Sequence, residues 1–173
     1  MIQKLAQVFA FQVLSFLLVP AFAQVEGESS FSQCIRNTAG GPVTFILKSD
    51  SSLMYRPSGE RWKAATKKIG IWRKENGVVV LYGKEETQRY EVDTIRSVQF
   101  LIPLSLTMRW STIKKETAEK IANDQDLQMI MTSEIKNEQQ DRRQKTIKRL
   151  EYEIALRNVC GEEILVRNPA GEE

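Results

Sequence analysis

Residues 69–101 read IGIWRKENGVVVLYGKEETQRYEVDTIRSVQFL, and this stretch decides the fold of the chain. It consists of short apolar or alternating runs separated by turn residues, a pattern typical of β-strands. The Asn76-Gly77 pair stands between two such runs and favours the positive φ angles that a type I′ hairpin turn needs. The stretch therefore predicts strands joined by tight turns, an antiparallel meander.

The β pattern extends outward from this stretch and covers 43–110. Further strands are predicted over 43–49, 53–56, 62–65 and 104–110. A turn is predicted at Asp93-Thr94, because Asp is depleted in strands and enriched in turns. The whole region is expected to form one antiparallel sheet.

Residues 111–159 contain neither Pro nor Gly and are rich in helix-forming residues, so they predict helix. The stretch 136–146 is polar at every position, and a helix that is polar all round is solvated or bridges between bodies. Either one long helix projects here or two helices flank a turn, and Asn123-Asp124 offers a second break. The predicted fold class is α+β: an antiparallel β-meander or partly closed small barrel, followed by one or two long C-terminal helices that pack partly on the sheet.

The first residues predict export. Lys4 precedes a mostly apolar run over 8–19, and Ala21-Phe22-Ala23 offers small residues for cleavage, so 1–23 matches a signal peptide. An apolar run of about twelve residues is too short for a spanning helix, which needs roughly twenty. The mature chain is expected to begin at Gln24, in the periplasm or secreted, with a flexible N-terminus over 24–42 and an acidic tail over 160–173.

The chain has two cysteines, Cys34 and Cys160, and both follow the predicted signal peptide. An even number of cysteines in an oxidising compartment predicts one disulfide. Two free or intermolecular thiols are the alternative.

Histidine is absent from the sequence, and this excludes several classes of site. A Ser-His-Asp triad, a Cys-His dyad and a histidine-ligated metal site all require it. Ser111 and Lys114 have the S-x-x-K spacing of a Ser-Lys dyad, but the accompanying S-D-N and K-T-G elements are missing, so a helix start with a solvated lysine is preferred. We expect no enzymatic activity, no cofactor and no metal site.

Cationic and aromatic side chains alternate near the centre of the chain. The formal net charge of +3 is too small to indicate nucleic acid as a partner. Arg61, Trp62, Lys63 and Trp72 combine cations with aromatic rings, a pairing that holds an anionic glycan or a lipid headgroup. The alternative is a solvated strand face whose lysines prevent association between sheet edges.

Gly70-Ile71-Trp72, followed by the hairpin at Asn76-Gly77, resembles the G-x-W pattern of small lipocalin-like bacterial β-barrels. The resemblance implies a barrel with a small apolar ligand in its mouth. The alternative for Trp72 is a structural role, covering one end of the sheet, because buried aromatic side chains mostly serve packing.

The favoured function is a non-enzymatic secreted or periplasmic interaction module that acts on another envelope protein. Its charged helix is expected to carry the contact, through Arg142, Arg143 and Lys145. The first alternative is a lipocalin-like carrier of a small apolar or anionic ligand, and an enzyme that uses carboxylates ranks last. The sequence leaves the oligomeric state open.

Overall fold

The structure is a computed structural model that describes residues 28–36, 42–57, 66–134 and 139–169. Its strands are β1 (Ser29–Gln33), β2 (Val43–Leu47), β3 (Ser52–Arg56), β4 (Lys67–Glu75), β5 (Val78–Gly83), β6 (Thr87–Ile95), β7 (Val98–Pro103) and β8 (Leu165–Arg167). Its helices are α1 (Thr107–Ala122), α2 (Gln125–Thr132) and α3 (Gln140–Asn158), and a short 3-10 turn, Leu104–Leu106, precedes α1.

The eight strands form a closed antiparallel barrel. Strands β1 to β7 are neighbours in chain order, as a meander requires, and β8 closes the barrel by pairing with both β7 and β1. The predicted α+β class, an antiparallel meander or partly closed small barrel followed by helices, is confirmed, and the barrel is fully closed. Closure leaves no free sheet edge among these strands, which removes the usual template for strand-to-strand aggregation.

Two strands lie in segments where the sequence analysis placed none. β1 falls within the segment 24–42, and β8 within the tail 160–173. β1 has serines around a single large apolar residue, Phe31, so its composition resembles a loop although Phe31 is fully buried. β8 is three residues long and gives too short a pattern to recognise.

The end of the meander also differs from the prediction. Asp93-Thr94 lies inside β6, and the chain reverses after Ile95 with Arg96 at a φ of 53°. Residues 104–110 form the 3-10 turn and the start of α1 instead of a strand. This segment is helical because residues with helical spacing, beginning at Trp110, form one face of α1, and that face is buried against the barrel.

The described residues form three helices in this region, where one or two were predicted. Asn123 caps the end of α1, and Asp124 begins α2 because its side chain accepts a hydrogen bond from the Leu127 amide as an N-cap. α3 begins at Gln140, so most of the polar stretch forms its first turns, and the preceding residues 135–138 lie outside the described ranges. No described helix combines the length and apolar character needed to cross a bilayer.

The barrel wall separates two apolar cores. Side chains of the interior core alternate along the strands and point inward: Phe31, Leu47, Leu53, Val79, Leu81, Tyr90, Leu101 and Leu165. The exterior core lies between the helices and the outer face of β7 and β8, and it includes Phe100, Ile102, Trp110, Ile113, Ile121, Leu127, Ile154, Val159 and Val166. Because β7 contributes to both cores, all six of its residues are buried.

A disulfide joins Cys34 to Cys160, as predicted, and ties the end of β1 to the end of α3. The Gly161 amide donates to the Cys34 carbonyl oxygen at 2.9 Å beside it. Gly161 has a φ of 90°, the left-handed conformation that commonly ends a helix. A covalent link therefore fixes the helical layer to the barrel.

Candidate functional site

One end of the barrel opens into a cavity of about 470 Å³, which we call the mouth cavity. Its floor is apolar and comes from the interior core, through Phe45, Leu53, Ile69 and Leu81. Its rim is charged and consists of Lys67, Lys68, Lys84, Glu85 and Glu86. An apolar floor under a rim of charged groups is the usual composition of a small-molecule site.

The rim carries three lysines and two glutamates, and all five side chains are exposed. Lys67 and Lys68 begin β4, whereas Lys84 lies in the turn between β5 and β6. Within the described part of the chain none of the three lysines forms an ion pair. The mouth is therefore open to an anionic group above the apolar floor.

A β-bulge shapes this rim. Leu53 is opposite Gly70 and Met54 is opposite Lys68, so Ile69 is the extra residue of β4. The bulge lets Ile69 join the interior core although its strand neighbour Gly70 has the inward register of Leu53. Lys67 regains the inward register, opposite Tyr55, and lies above the cavity floor.

A partly buried hydrogen bond adjoins the cavity floor. The Tyr90 hydroxyl donates to Gln88 Oε1 at 2.6 Å, and Gln88 lines the mouth cavity. Burial raises the pKa of the Tyr90 hydroxyl, and the charges of Glu163 and Glu86 raise it further, so the group stays a neutral donor. The floor therefore keeps its shape without a charge of its own.

Trp72 packs against the interior core beneath the mouth, opposite Leu81 of β5, and its hydrogen bonds reach the other end of the barrel. Its indole Nε1 donates to the Lys48 carbonyl oxygen at 2.8 Å, and its amide donates to the Ser51 carbonyl oxygen at 2.9 Å. Both acceptors belong to the turn between β2 and β3, so Trp72 holds that turn against the barrel end. It lies on the fourth strand, whereas the motif it resembles in lipocalins lies on the first.

The other predicted ligand-binding residues, Arg61, Trp62 and Lys63, lie outside the described residues. Two lysines that follow them closely in the sequence, Lys67 and Lys68, are at the mouth. The floor residues were not predicted from the sequence as ligand contacts. The available signal was the inward register of alternating strand positions, which becomes readable only once the strand pairing is known.

The three predicted interaction cations of α3 are not equivalent. Arg142 and Lys145 are exposed, whereas Arg143 is half-buried and its guanidinium donates to the Met131 carbonyl oxygen near the end of α2. Arg143 therefore joins two helices, and Arg142 and Lys145 remain available at the surface.

The Ser111–Lys114 pair lies on α1, where the lysine faces Asp93 of β6. Lys114 Nζ donates to both Asp93 carboxylate oxygens, at 2.9 and 2.7 Å, and Trp110 Nε1 donates to the same carboxylate at 2.6 Å. Partial burial alone would raise the pKa of Asp93, but the bonds from Lys114 and Trp110 outweigh it, and the pKa lies below its usual value. This cluster anchors α1 to the barrel.

We predict that Asp93→Asn lowers the free energy of unfolding by about 1–2 kcal/mol near neutral pH, because it replaces a charge-assisted pair that is partly exposed. A carboxylate with a depressed folded-state pKa stabilises the fold above its unfolded pKa of about 4, and this contribution is lost as the pH falls through the folded-state value. The difference between variant and wild type should therefore shrink in acid. Urea titrations at neutral and acidic pH measure it, with the exposed neighbour Glu91→Gln as the matched control. A difference that stays constant with pH would contradict the assignment.

No group of three or more metal-ligating side chains occurs among the described residues. The chain matches no protein-family model, no curated protein and no solved structure. What the site can bind therefore follows from its own geometry.

Proposed function

We propose that this protein is a non-enzymatic binding protein that holds a small amphipathic anion in the mouth cavity of its barrel. The observation that carries the proposal is that three lysines lie above an apolar floor. None of the three has an ion-pair partner among the described residues. Of the two functions expected from the sequence, this arrangement favours the carrier. The ligand class is an apolar chain or ring system with one terminal acid group.

The two halves of such a ligand would be recognised differently. Its apolar part would be removed from water against Phe45, Leu53 and Leu81, which contributes about 25 cal/mol per Å² of buried apolar surface. Its acid group would remain at the rim near Lys67 and Lys84, where water screens the attraction. The floor therefore supplies most of the affinity, and the lysines select the sign of the head group.

A pair of fluorescent probes tests this division. Anilinonaphthalene sulfonate is an apolar ring system with an acid group, and N-phenylnaphthylamine is its uncharged counterpart. We predict that the triple variant Lys67→Gln/Lys68→Gln/Lys84→Gln weakens binding of the sulfonate about tenfold and leaves binding of the neutral probe within about twofold. Unlabelled dodecanoate should displace both probes from the wild-type protein.

The matched control removes the same number of positive charges elsewhere. Lys115, Arg142 and Lys145 are exposed on α1 and α3 and do not line the mouth cavity. Their triple replacement by Gln should leave both probes unaffected. Equal weakening by the two triple variants would show a general charge effect, and failure of dodecanoate to compete would reject the cavity as the site.

The charged start of α3 is a second candidate function, as a contact for another envelope protein. The observation that favours it is that Arg143 secures α3 to α2 while Arg142 and Lys145 stay exposed beside it. Because the backbone of this helix turn is already anchored, two cations on it would meet an acidic surface without the entropy cost of ordering the helix. The control triple variant described above removes both cations. Weaker binding of an envelope protein by that variant, with binding of both probes unchanged, would therefore separate the two functions.

We place both activities outside the cytoplasm, in the periplasm or in the secreted fraction. The disulfide between Cys34 and Cys160 supports this, because such bonds persist in oxidising compartments and are rare in the cytosol. The predicted signal peptide, 1–23, lies outside the described residues.

A further inference from the structure

A second cavity, of about 540 Å³, lies at the barrel end opposite the mouth, and we call it the basal cavity. It lies where β1, β7 and β8 meet, with α3 alongside. Hydroxyl groups are frequent in its lining, which includes Ser29, Ser30, Thr94, Ser97 and Tyr152. Its lining is therefore more polar than that of the mouth cavity.

Arg167, on β8, is the central group of the basal cavity. Its Nη1 donates to Gln99 Oε1 and its Nη2 donates to Ser29 Oγ, each at 3.1 Å. Gln99 and Ser29 are buried and uncharged. A guanidinium has five N–H donors in a rigid fork, so these two bonds orient it and leave donors unused.

The charge of Arg167 is not balanced by its immediate partners. It is half-buried, yet it forms no ion pair with any carboxylate in the described part of the chain. Burying a cation beside neutral groups costs free energy that an anion would recover. The hydrogen bonds to Gln99 and Ser29 therefore fix the orientation of the Arg167 guanidinium, and the group that best complements its remaining donors is an oxyanion.

Two further charged residues line the basal cavity at its rim. Lys148 of α3 is exposed and adds a second positive charge. Glu28 is a negative charge at the same rim, and its Oε1 lies 3.8 Å from Lys48 Nζ, a separation typical of a weak surface pair. Arg167 and Lys148 favour an anion in the cavity, whereas Glu28 competes with it.

We propose that the basal cavity binds a small hydroxylated molecule that carries a carboxylate or phosphoryl group, such as an acidic sugar. The oxyanion would accept two parallel hydrogen bonds from the Arg167 guanidinium, and the ligand hydroxyls would exchange hydrogen bonds with the serine and threonine side chains. This site is independent of the mouth cavity. Its ligand is polar, whereas the ligand of the mouth is amphipathic.

Amide nitrogen–proton correlation spectra of the full chain test the proposal with three probes: glucuronate, glucose phosphate and glucose. We expect glucuronate or glucose phosphate to shift the amide signals of Ser29, Thr94 and Asn168 at millimolar concentration, while glucose does not. Whichever charged sugar binds more tightly identifies the acid group as carboxylate or phosphoryl. Inorganic sulfate should bind at least tenfold more weakly than the better sugar, because it carries no hydroxyl groups that could exchange hydrogen bonds with the lining while the oxyanion pairs with Arg167.

Four variants assign the binding to this cavity. Arg167→Gln should weaken the better ligand at least tenfold, and Lys148→Gln about threefold. Glu28→Gln should tighten binding about threefold, because it removes the competing negative charge. Arg89→Gln, an exposed arginine on the outer face of β6, is the matched control and should have no effect.

Lys148 and Glu28 are exposed, so their variants keep the test valid if Arg167→Gln does not fold. The proposal is overturned if neither charged sugar binds, if sulfate binds as tightly as the sugars, or if Lys148→Gln and Glu28→Gln leave the affinity unchanged. None of these outcomes depends on the probes used for the mouth cavity. Failure of one site is therefore distinguishable from failure of the other.

Discussion

Replacing Cys34 and Cys160 together by alanine should lower the free energy of unfolding by about 4–5 kcal/mol. The two cysteines are 126 residues apart, so their bond closes a loop that spans nearly all of the described chain. In the loop-entropy account, a cross-link over so long a loop restricts the unfolded chain by roughly this amount. For a domain whose total stability is about 5–15 kcal/mol, such a loss is a large fraction of the whole.

Urea titration of oxidised wild type, reduced wild type and the double variant measures this effect. Reduction should destabilise the wild type to nearly the level of the double variant and should not change the variant at all. The slope of the transition should rise on reduction, because a chain without the cross-link exposes more surface when it unfolds. A loss below about 1 kcal/mol would mean that the bond adds little to what packing already secures.

Gly70→Ala should destabilise the barrel by about 3 kcal/mol, the upper part of the usual range for overpacking. A Cβ atom at this position would lie 1.8 Å from the Tyr82 carbonyl oxygen of the neighbouring strand β5. That atom is backbone, so it cannot move away without displacing the pairing between β4 and β5. We expect a lower urea midpoint, and weaker binding of the neutral probe because Ile69 shifts with the bulge.

Gly83→Ala is the matched control for this prediction. Gly83 is opposite Gly70 in the strand pairing, but a Cβ there would meet the Glu86 carbonyl oxygen at 3.1 Å. Glu86 lies in an exposed turn that can move by a few tenths of an ångström. The control should therefore cost less than about 1 kcal/mol. Equal destabilisation by both variants would show that replacing a glycine is itself destabilising, and that the close contact between β4 and β5 is not the cause.

The hairpins around Asn76-Gly77 could be predicted because local signals agree there: alternation, turn residues and strand length all indicate the same structure. The helical region could be predicted equally well, because its composition excludes strand-like runs. Closure of the barrel could not be predicted from the sequence, because β1 and β8 are short and their pairing joins residues far apart in the chain. A strand such as Ser29–Gln33 exists through its partners and not through its own propensity.

The candidate sites were harder to predict than the fold. Lys67 and Lys68 follow the predicted ligand-binding residues 61–63 closely in the sequence, but the floor beneath them depends on which face of each strand points inward. β7 shows the difficulty: Leu101 faces the interior core and Phe100 the helices, and both are fully buried. Arg167 gave no signal at all, because its significance comes from the uncharged neighbours that the fold brings to it.

Because β8 closes the barrel and follows all the other strands and helices in the chain, the barrel cannot close until β8 has been synthesised. Seven strands emerge from the ribosome first, but β1 and β7 can be bridged only after the three helices and residues 165–167 have followed. Until then, both edges of the sheet expose unpaired backbone groups, a state prone to aggregation. A chain that crosses a membrane unfolded and in order would complete its barrel only after residues 165–167 have passed, and a chain interrupted before that point would leave the edges open to proteases.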